Sequence, residues 1–316
     1  MTDLSVIVPF HDVGAYASQT LASLRRSAVP GIEFILIDDA STDATAEILA
    51  AGTDGLPGAR LIRLEQNVGL AAARNAGLDA ATGEHIAFLD GDDFVAPGHF
   101  PELVRTIRRL GCEMVRTDHV RVVGTKRTIA RVTHSTRGRV GSPREAILPV
   151  NRATSVDAPY AWAGIFHRTL LDRGLLHFDP RLRTCEDRPW IWKLHLQATS
   201  FAVVGHLGVF YRRDVANSLS TIRDKRQFWF RPAFDSLLAE VRADRDAEHL
   251  MPKAVHSYLA VIAHHYSTRD HYPRSLRSEL EGVCRAAARG IGDRDVERGL
   301  TTLGPDRGRA IRRFLD

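Results

Sequence analysis

The sequence has few cysteines and no long apolar run. Its 316 residues include three cysteines, Cys112, Cys185 and Cys284, which lie far apart and form no CxxC pair. This spacing argues against a disulfide framework or a cysteine zinc site and is typical of a reducing compartment. The longest apolar runs, such as 4–10, are too short to cross a bilayer, and the first residues lack the pattern of a secretion signal. We therefore expect a cytoplasmic protein without a transmembrane segment.

Lysine is also scarce, and the positive charge comes almost entirely from arginine. Only four of the 43 basic residues are lysine, and the net charge is +5. Such an excess fits affinity for phosphates or an anionic membrane, or a coding bias toward arginine on solvated faces. No basic cluster is interleaved with aromatic residues as in single-strand binders, so we expect no nucleic-acid partner. The basic residues of 307–313 leave two interpretations open, a membrane-facing end or a solvated helix.

Short apolar runs alternate with helical patterns through the first hundred residues. The apolar runs cover residues 4–10, 32–37, 60–64 and 85–89, and the helical patterns cover residues 14–27, 42–51, 69–80 and 97–110. Fully apolar strands between helices predict an α/β fold with a mostly parallel sheet covered by helices on both faces.

The second half of the chain has a different pattern. We expect a hairpin around Gly124-Thr125 and a second strand pair formed by 201–204 and 208–211. Further helices are expected near residues 142–149, 167–173 and 186–197. Strand patterns disappear after about residue 222, which predicts an all-helical C-terminal extension. The predicted organisation is a catalytic domain over 1–222, with halves 1–110 and 111–222, followed by a helical region over 223–316.

Three carboxylates directly follow the fourth apolar run. Asp90 and Asp92 would point to the same side of an extended chain, and Gly91 between them would leave a ligand room to approach. Carboxylates this close repel one another, so a cation would stabilise them, and oxygen ligands suit Mn²⁺ or Mg²⁺. The alternative is an acidic turn that caps the next helix. The position after a buried strand favours metal binding.

A glycine-rich loop is missing after the first strand. That position reads Pro9-Phe10-His11-Asp12, whereas dinucleotide-binding enzymes place a GxGxxG turn there. The absence excludes a dinucleotide oxidoreductase and argues against a sugar-phosphate nucleotidyltransferase.

Four motifs in order resemble glycosyltransferase family 2 with a GT-A fold. They are Ser5–Phe10 (SVIVPF), Ile37–Asp43 (IDDASTD), Asn67–Asn75 (NVGLAAARN) and Phe88–Asp93 (FLDGDD). The resemblance covers roughly residues 3–220. It implies an inverting, metal-dependent transfer of a sugar from a nucleotide-diphosphate donor, usually a uridine one, with Asp92 and Asp90 at the metal.

The resemblance also implies donor-binding residues. Asp39 matches the aspartate that contacts the nucleoside, and Pro9 matches the position whose backbone borders the base. Asn67 and Arg74 match the segment that closes over the nucleotide. Asp38 is expected to bond the next loop instead.

The acceptor side is implied by Cys185-Glu186-Asp187, which precedes a helical run. Asp187 matches the family's general base, and Glu186 a supporting or acceptor-binding residue. Arg212, Arg213 and Ser218 lie in the stretch that the family places near the diphosphate, and either arginine could reach phosphate. Trp162 is a candidate acceptor platform, with a core position as the alternative.

The expected function is sugar transfer to an acceptor hydroxyl in the synthesis of a surface polysaccharide or glycoconjugate. The acceptor would be a carbohydrate or a lipid-linked glycan, in the cytoplasm or at the inner face of the membrane. The alternative is a non-catalytic protein that binds nucleotide sugars or carbohydrates on a degenerate GT-A scaffold. The intact acids at 90, 92 and 187 favour the enzyme. The sugar, the linkage and the oligomeric state remain open.

Overall fold

The computed structural model describes residues 2–215, 218–219 and 221–315. The strands among them are β1 (Leu4–Phe10), β2 (Ile32–Asp38), β3 (Ala59–Arg63), β4 (His85–Phe88), β5 (Phe94–Val95), β6 (Met114–Thr117), β7 (His119–Val123), β8 (Lys126–Ala130), β9 (Gly164–His167), β10 (Phe201–Val204) and β11 (Val209–Arg212). The helices are α1 (Gly14–Arg25), α2 (Thr45–Thr53), α3 (Leu70–Ala80), α4 (His99–Leu110), α5 (Arg168–Asp172), α6 (Asp187–Gln197), α7 (Phe230–Arg242), α8 (Ala247–Ser267), α9 (Arg274–Ile291), α10 (Asp293–Leu300) and α11 (Pro305–Leu315).

The chain forms two compact units. The first contains residues 1–143, 160–181 and 197–218, and the second contains residues 144–159, 182–196 and 219–316. The long last segment of the second unit begins close to the predicted boundary at 222. The second unit also includes two earlier segments, which the predicted division at 222 assigns to the catalytic domain.

The first unit contains a seven-stranded sheet in the order β10-β6-β9-β4-β1-β2-β3. Strand β1 pairs in parallel with β2 and β4, and β9 runs antiparallel between β4 and β6. Every residue of β1 is buried, so both faces of this strand are covered. The predicted α/β fold with a mostly parallel sheet is therefore confirmed.

A second sheet in the same unit has the order β5-β11-β7-β8. Strands β7 and β8 form the predicted hairpin, with Gly124 at a φ of 53° in its turn. The predicted pairing of 201–204 with 208–211 is wrong. Strand β10 pairs with β6 in the large sheet, whereas β11 joins the small one. Phe201, Ala202 and Val203 are fully buried there, and this apolar edge position outweighs a local hairpin.

The second unit is helical. No strand occurs among its described residues. Val255, Tyr258, Leu259 and Ile262, which recur at helical spacing, are all buried on α8. The helix predicted near 142–149 is reduced to one 3₁₀ turn, Arg144–Ala146. Prolines at 143 and 149 bracket that turn and limit its extension. No helix within the described ranges is both long and apolar enough to cross a membrane.

Candidate active site

The carboxyl ends of β1, β2 and β4 meet at one edge of the large sheet. The register pairs Phe10 with Asp38, and Ile7 with Phe88. The polar residues that follow these strands therefore lie side by side. In open parallel sheets, ligands bind beyond this edge.

The turn after β4 is held by backbone contacts. Gly91 N donates to Pro9 O at 3.1 Å, and Asp93 N donates to Asp90 O at 3.0 Å. The Thr20 hydroxyl of α1 lies 2.9 Å from Gly91 O and 2.7 Å from Asp93 O. This buried hydroxyl fixes both ends of the turn against α1.

Gly91 is required by the packing of the protein itself. A Cβ atom at this position would lie 2.5 Å from Phe10 Cδ1 and 2.7 Å from Pro9 O. Both distances are far below normal van der Waals contact. The expectation that Gly91 mainly leaves room for a ligand is therefore corrected, because the end of β1 occupies that space.

Asp90 and Asp92 are coupled electrostatically. Burial raises the pKa of Asp92 to about 6, and the negative charge of Asp90 contributes in the same direction. A divalent cation would offset this repulsion, and a pair of carboxylates is a donor set that fits Mn²⁺ or Mg²⁺.

Asp93 has a different role from its two neighbours. It is fully buried, and its Oδ1 accepts a hydrogen bond from Arg212 N at 2.7 Å. Burial, reinforced by Asp92 and Asp90, raises the pKa of Asp93 well above its usual range. Asp93 is thus enclosed and bound to the backbone of Arg212, so Asp90 and Asp92 are the ligand candidates.

Arg74 of α3 neutralises Asp90. Its Nη2 lies 2.7 Å from Asp90 Oδ1, and its guanidinium lies over the Phe178 ring at 5.1 Å. Asn75 bonds the backbone of Phe178 in both directions, each at 2.9 Å. Helix α3 is thereby fixed both to the turn after β4 and to the segment around Phe178.

The structure separates the two arginines that the sequence left equivalent. Arg212 is buried, and its guanidinium donates to Asp92 O and to Gln19 Oε1. It also lies over the Phe94 ring at 4.7 Å. Arg213 is exposed, with Nη1 3.1 Å from the Tyr211 hydroxyl. Arg212 therefore supports the turn after β4, and Arg213 is the arginine accessible from solvent.

The loop that follows is described only in part, because 216, 217 and 220 lie outside the described residues. Ser218 is partly buried, and its backbone N lies 3.3 Å from Val215 O. A contact between Ser218 and a donor stays a prediction.

Asp39 fixes the loop that precedes α3. Its Oδ1 accepts from Val68 N at 2.7 Å, and its Oδ2 accepts from Gly69 N at 2.9 Å. Asp38 Oδ1 accepts from Ser41 N at 3.0 Å, which is the local role expected of Asp38. Asn67, beside this clamp, is exposed. A direct contact of Asp39 with a nucleoside stays a prediction.

Trp162 lies in an aromatic cluster. Its ring stacks on Tyr160 with centroids 4.8 Å apart and meets His119 edge-on at 4.8 Å and Tyr211 at 5.1 Å. Trp162 is only 3% exposed. Burial lowers the pKa of His119 to about 4, so its ring is neutral. The core interpretation of Trp162 is favoured, while Tyr160 and Tyr211 remain partly exposed.

In the second unit, Glu186 and Asp187 stand at a helix start as predicted. Helix α6 begins at Asp187, after Cys185 with a φ of 60°. Glu186 is buried and Asp187 is partly exposed. Burial, together with the charge of Asp187, raises the pKa of the Cys185 thiol to about 12, so this cysteine is not a reactive thiolate. The catalytic role of Asp187 stays a prediction.

A second group of metal-type side chains lies at the other end of β4. Glu84, His85 and His167 each offer a ligand atom within 4.8 Å of the others. However, Glu84 Oε2 is bound to Arg108 Nη2 at 2.6 Å, and His85 Nδ1 lies 3.0 Å from Asp3 O. These partners favour a structural ion-pair network for this group, so the metal assignment stays with Asp90 and Asp92.

Sequence reasoning missed two residues that support the turn, Thr20 and Gln19. A signal for Thr20 was present, since this polar residue stands in the buried stripe of α1 with Ala17, Leu21 and Leu24. Its neighbour Gln19 gave no such signal, because its side chain is exposed and its bond to Arg212 joins residues far apart in the chain.

Known proteins agree with this fold. The model of the family described as "Glycosyl transferase family 2" matches residues 5–175, more than half of the chain. The chain therefore belongs to glycosyltransferase family 2, as its motifs predict.

Two curated relatives are similar over part of the chain. EpsJ of Bacillus subtilis (strain 168), an uncharacterized glycosyltransferase, is 27% identical over 235 residues, which cover 74% of this chain and 66% of EpsJ. The succinoglycan biosynthesis protein ExoO of Rhizobium meliloti (strain 1021) is 33% identical over 159 residues, 49% of this chain and 45% of ExoO. The chain thus spans less than two thirds of the length of these relatives.

A solved structure shares the fold. S. aureus TarS 1-349 in complex with UDP-GlcNAc aligns with a TM-score of 0.72 and 18% identity. The alignment covers 93% of this chain and 83% of that one. At this identity, the likeness supports the fold alone.

Proposed function

We propose that this protein is an inverting, metal-dependent glycosyltransferase that moves a sugar from a UDP-sugar to an acceptor hydroxyl. The observation that carries the proposal is the electrostatically coupled pair Asp90 and Asp92 at the carboxyl edge of the parallel sheet. The loop clamped by Asp39 follows β3 at the same edge of the sheet, where a nucleoside would enter.

Asp92 and Asp90 would hold Mn²⁺ or Mg²⁺ in this proposal. The bound cation would supply positive charge to the diphosphate as it leaves. Arg212 holds the turn in place by donating to the carbonyl of Asp92. Arg74 forms an ion pair with Asp90 and so compensates its negative charge. Arg213, being exposed, is the arginine that we assign to the diphosphate.

The nucleoside would lie against the ends of β1 and β2. The backbone of Pro9 would border the base. Asp39 positions the loop that carries Asn67. The choice of a uridine nucleotide is supported by the TarS complexes, which were solved with UDP and with UDP-GlcNAc.

Asp187 is our choice for the general base. A sugar hydroxyl is a poor nucleophile at neutral pH, and a carboxylate within about 3 Å can take its proton as the new bond forms. A single in-line displacement of this kind inverts the configuration at the sugar carbon. Glu186 would support Asp187 or bind the acceptor. The buried Trp162 would position Tyr160 and Tyr211, whose partly exposed rings would contact the acceptor.

The acceptor proposed here is a carbohydrate or a lipid-linked glycan in polysaccharide or glycoconjugate synthesis. The relative ExoO, a succinoglycan biosynthesis protein, supports this class. The reaction would take place in the cytoplasm, at the inner face of the membrane where the acceptor is lipid-linked.

A screen of nucleotide sugars by thermal shift, with and without Mn²⁺, tests the donor assignment. Stabilisation by one UDP-sugar that requires Mn²⁺ supports it, and hydrolysis of that donor then gives an assay. Asp187→Asn should lower turnover by about 10²- to 10⁴-fold and leave donor binding intact. Asp293→Asn, an exposed aspartate at the start of α10, is the matched control and should keep full turnover. Metal-dependent binding without any turnover would instead support the non-catalytic alternative.

A further inference from the structure

The positive charge of the chain is concentrated in one short stretch. Residues 119–143 contain six arginine and lysine residues and neither aspartate nor glutamate. Without this stretch, the chain has 37 basic and 38 acidic residues, because the totals are 43 and 38. A general coding bias toward arginine does not explain such a local excess.

Five of the six basic side chains point into solvent. They are Arg121, Lys126, Arg127, Arg131 and Arg139. None of them forms an ion pair with a carboxylate of the described part of the chain. Arg137 is the exception, with Nη2 2.6 Å from Asp118 Oδ2. The carboxylate of Asp214 reaches the hairpin turn, where its Oδ2 accepts from Gly124 N at 2.6 Å.

The same stretch exposes apolar side chains. Val123 is 52% exposed, Ile129 53% and Val140 46%. Across the described residues, only Val29 joins them as an exposed large hydrophobic side chain. Lysine and arginine are common on edge strands such as β8, where they prevent pairing with other chains. That role explains the charges but not the exposed valines and isoleucine between them.

We propose that the hairpin surface, formed by β7, β8 and the turn between them, docks on an anionic phospholipid bilayer. Exposed apolar groups among cations are the composition of segments that lie in a membrane interface. The register puts Val123 and Lys126 on one face of the hairpin, and Ile129 and Arg127 on the other. Because β8 is an exposed edge strand, the hairpin would enter the headgroup region by this edge, with its cations at the lipid phosphates and Val123 and Ile129 on either side. A soluble anionic polymer would be attracted by the charges but would gain little from these apolar groups.

The C-terminal helix lacks this combination. In α11, Ile311 and Phe314 are buried, and Phe314 packs on Tyr266 at 4.8 Å. Arg309 pairs with Asp306, and Arg312 lies 3.4 Å from Glu297. The apolar side of α11 therefore packs within its own unit. Of the two interpretations of residues 307–313, this packing favours the solvated helix.

The hairpin surface lies in the sheet whose strand β5 begins directly after the turn that carries Asp90 and Asp92. Strand β5 directly follows Asp93, and the sheet order β5-β11-β7-β8 puts three strand spacings between β5 and β8. At about 4.8 Å per spacing, this distance is roughly 15 Å. If the proposed function holds, a docked hairpin would bring the donor site within reach of a short lipid-linked acceptor. The membrane contact itself does not depend on that function.

Co-sedimentation of the full chain with vesicles tests the proposal. We expect binding to vesicles of phosphatidylcholine and phosphatidylglycerol in equal parts, weak binding to pure phosphatidylcholine, and loss of binding in high salt. Lys126→Glu with Arg127→Glu should weaken binding at least about 25-fold, since each cation near an anionic surface contributes roughly fivefold. Val123→Ser with Ile129→Ser should also weaken it.

The matched control reverses two charges on α11, Arg307→Glu with Arg313→Glu, and should leave vesicle binding unchanged. Circular dichroism melts and donor hydrolysis of the hairpin variants should equal those of the wild type, which separates this test from that of the proposed function. The proposal is overturned if anionic vesicles bind no better than neutral ones, or if the α11 variant weakens binding as much as the hairpin variant. It is also overturned if Val123→Ser with Ile129→Ser has no effect while soluble polyphosphate competes, because the surface would then bind an anionic polymer.

Discussion

Arg74 Nη2 lies 2.7 Å from Asp90 Oδ1, and the side chains are 4% and 23% exposed. A carboxylate that we assign to the metal is thus already paired with a buried cation from α3. The turn therefore contains one carboxylate, Asp90, whose charge is compensated by Arg74, and one, Asp92, whose pKa is raised.

Replacing Arg74 should therefore cost stability. Arg74→Met leaves Asp90 as a partly buried charge without its cation, and we expect a loss of about 2–3 kcal/mol in the free energy of unfolding. Urea denaturation measures this value. Adding Asp90→Asn to Arg74→Met should restore part of the loss, because the unpaired charge disappears. Additive effects of the two substitutions would contradict a direct pair.

Gly91→Ala should disturb the turn after β4, which carries Asp90 and Asp92. Its Cβ would overlap the end of β1, so the turn must shift, and we expect a destabilisation of about 1–3 kcal/mol together with weaker Mn²⁺ binding. A thermal melt and a Mn²⁺ titration measure the two effects. The control is Gly205→Ala, since nothing lies within 4 Å of a Cβ at that exposed position. Equal behaviour of the two variants would show that the turn tolerates a side chain.

Asp39→Ala should release the loop at 68–69. The variant leaves Val68 N and Gly69 N without their acceptor, and we expect a loss of about 1–3 kcal/mol in the free energy of unfolding. Hydrogen exchange of these two amides should accelerate. The control is Asp43→Ala, whose side chain accepts from Gly14 N and Thr45 N away from this loop. Unchanged exchange at 68 and 69 in Asp39→Ala would exclude the clamp.

His99 predicts how stability changes in acid. Its ring is buried with Nδ1 2.8 Å from His206 Nε2, and burial lowers the pKa of His99 to about 3. In the unfolded chain, the His99 imidazole takes up a proton near the usual histidine pKa of about 6.5, whereas in the native state it stays neutral. The native state therefore loses stability as the pH falls from about 6.5 toward 3. For one proton the slope is about 1.4 kcal/mol per pH unit.

Urea denaturation between about pH 7 and about pH 5 measures this slope. His99→Gln should reduce it by close to one proton. His249→Gln replaces an exposed histidine at the start of α8 and should leave the slope unchanged. A His99→Gln slope equal to that of the wild type would mean that this ring does not control the acid response.

The sequence predicted the parts of the fold that depend on local pattern. Strands β1, β2 and β4 are continuous apolar runs, and their ends carry the polar residues of the site. The position of Asp187 at a helix start was equally readable. Family membership followed from motifs whose order and spacing are specific.

Tertiary partners were not readable in the same way. Strand β5 has two residues, and nothing in Phe94-Val95 indicates that it pairs with Val209 and Phe210. Likewise, the choice between Arg212 and Arg213 depends on which guanidinium the surrounding aromatic rings bury. A long-range pairing of this kind has no period along the chain, so local patterns do not reveal it.

The antiparallel strand β9 has a consequence for biosynthesis. It fills the gap between β4 and β6, and it is followed by β10 at the sheet edge. On the ribosome, β4 and β6 therefore emerge long before the segment that joins them, and their open edges are exposed to other nascent chains in the meantime. A fragment that stops at residue 143 would keep that gap, and we expect it to aggregate even though it contains all four family motifs.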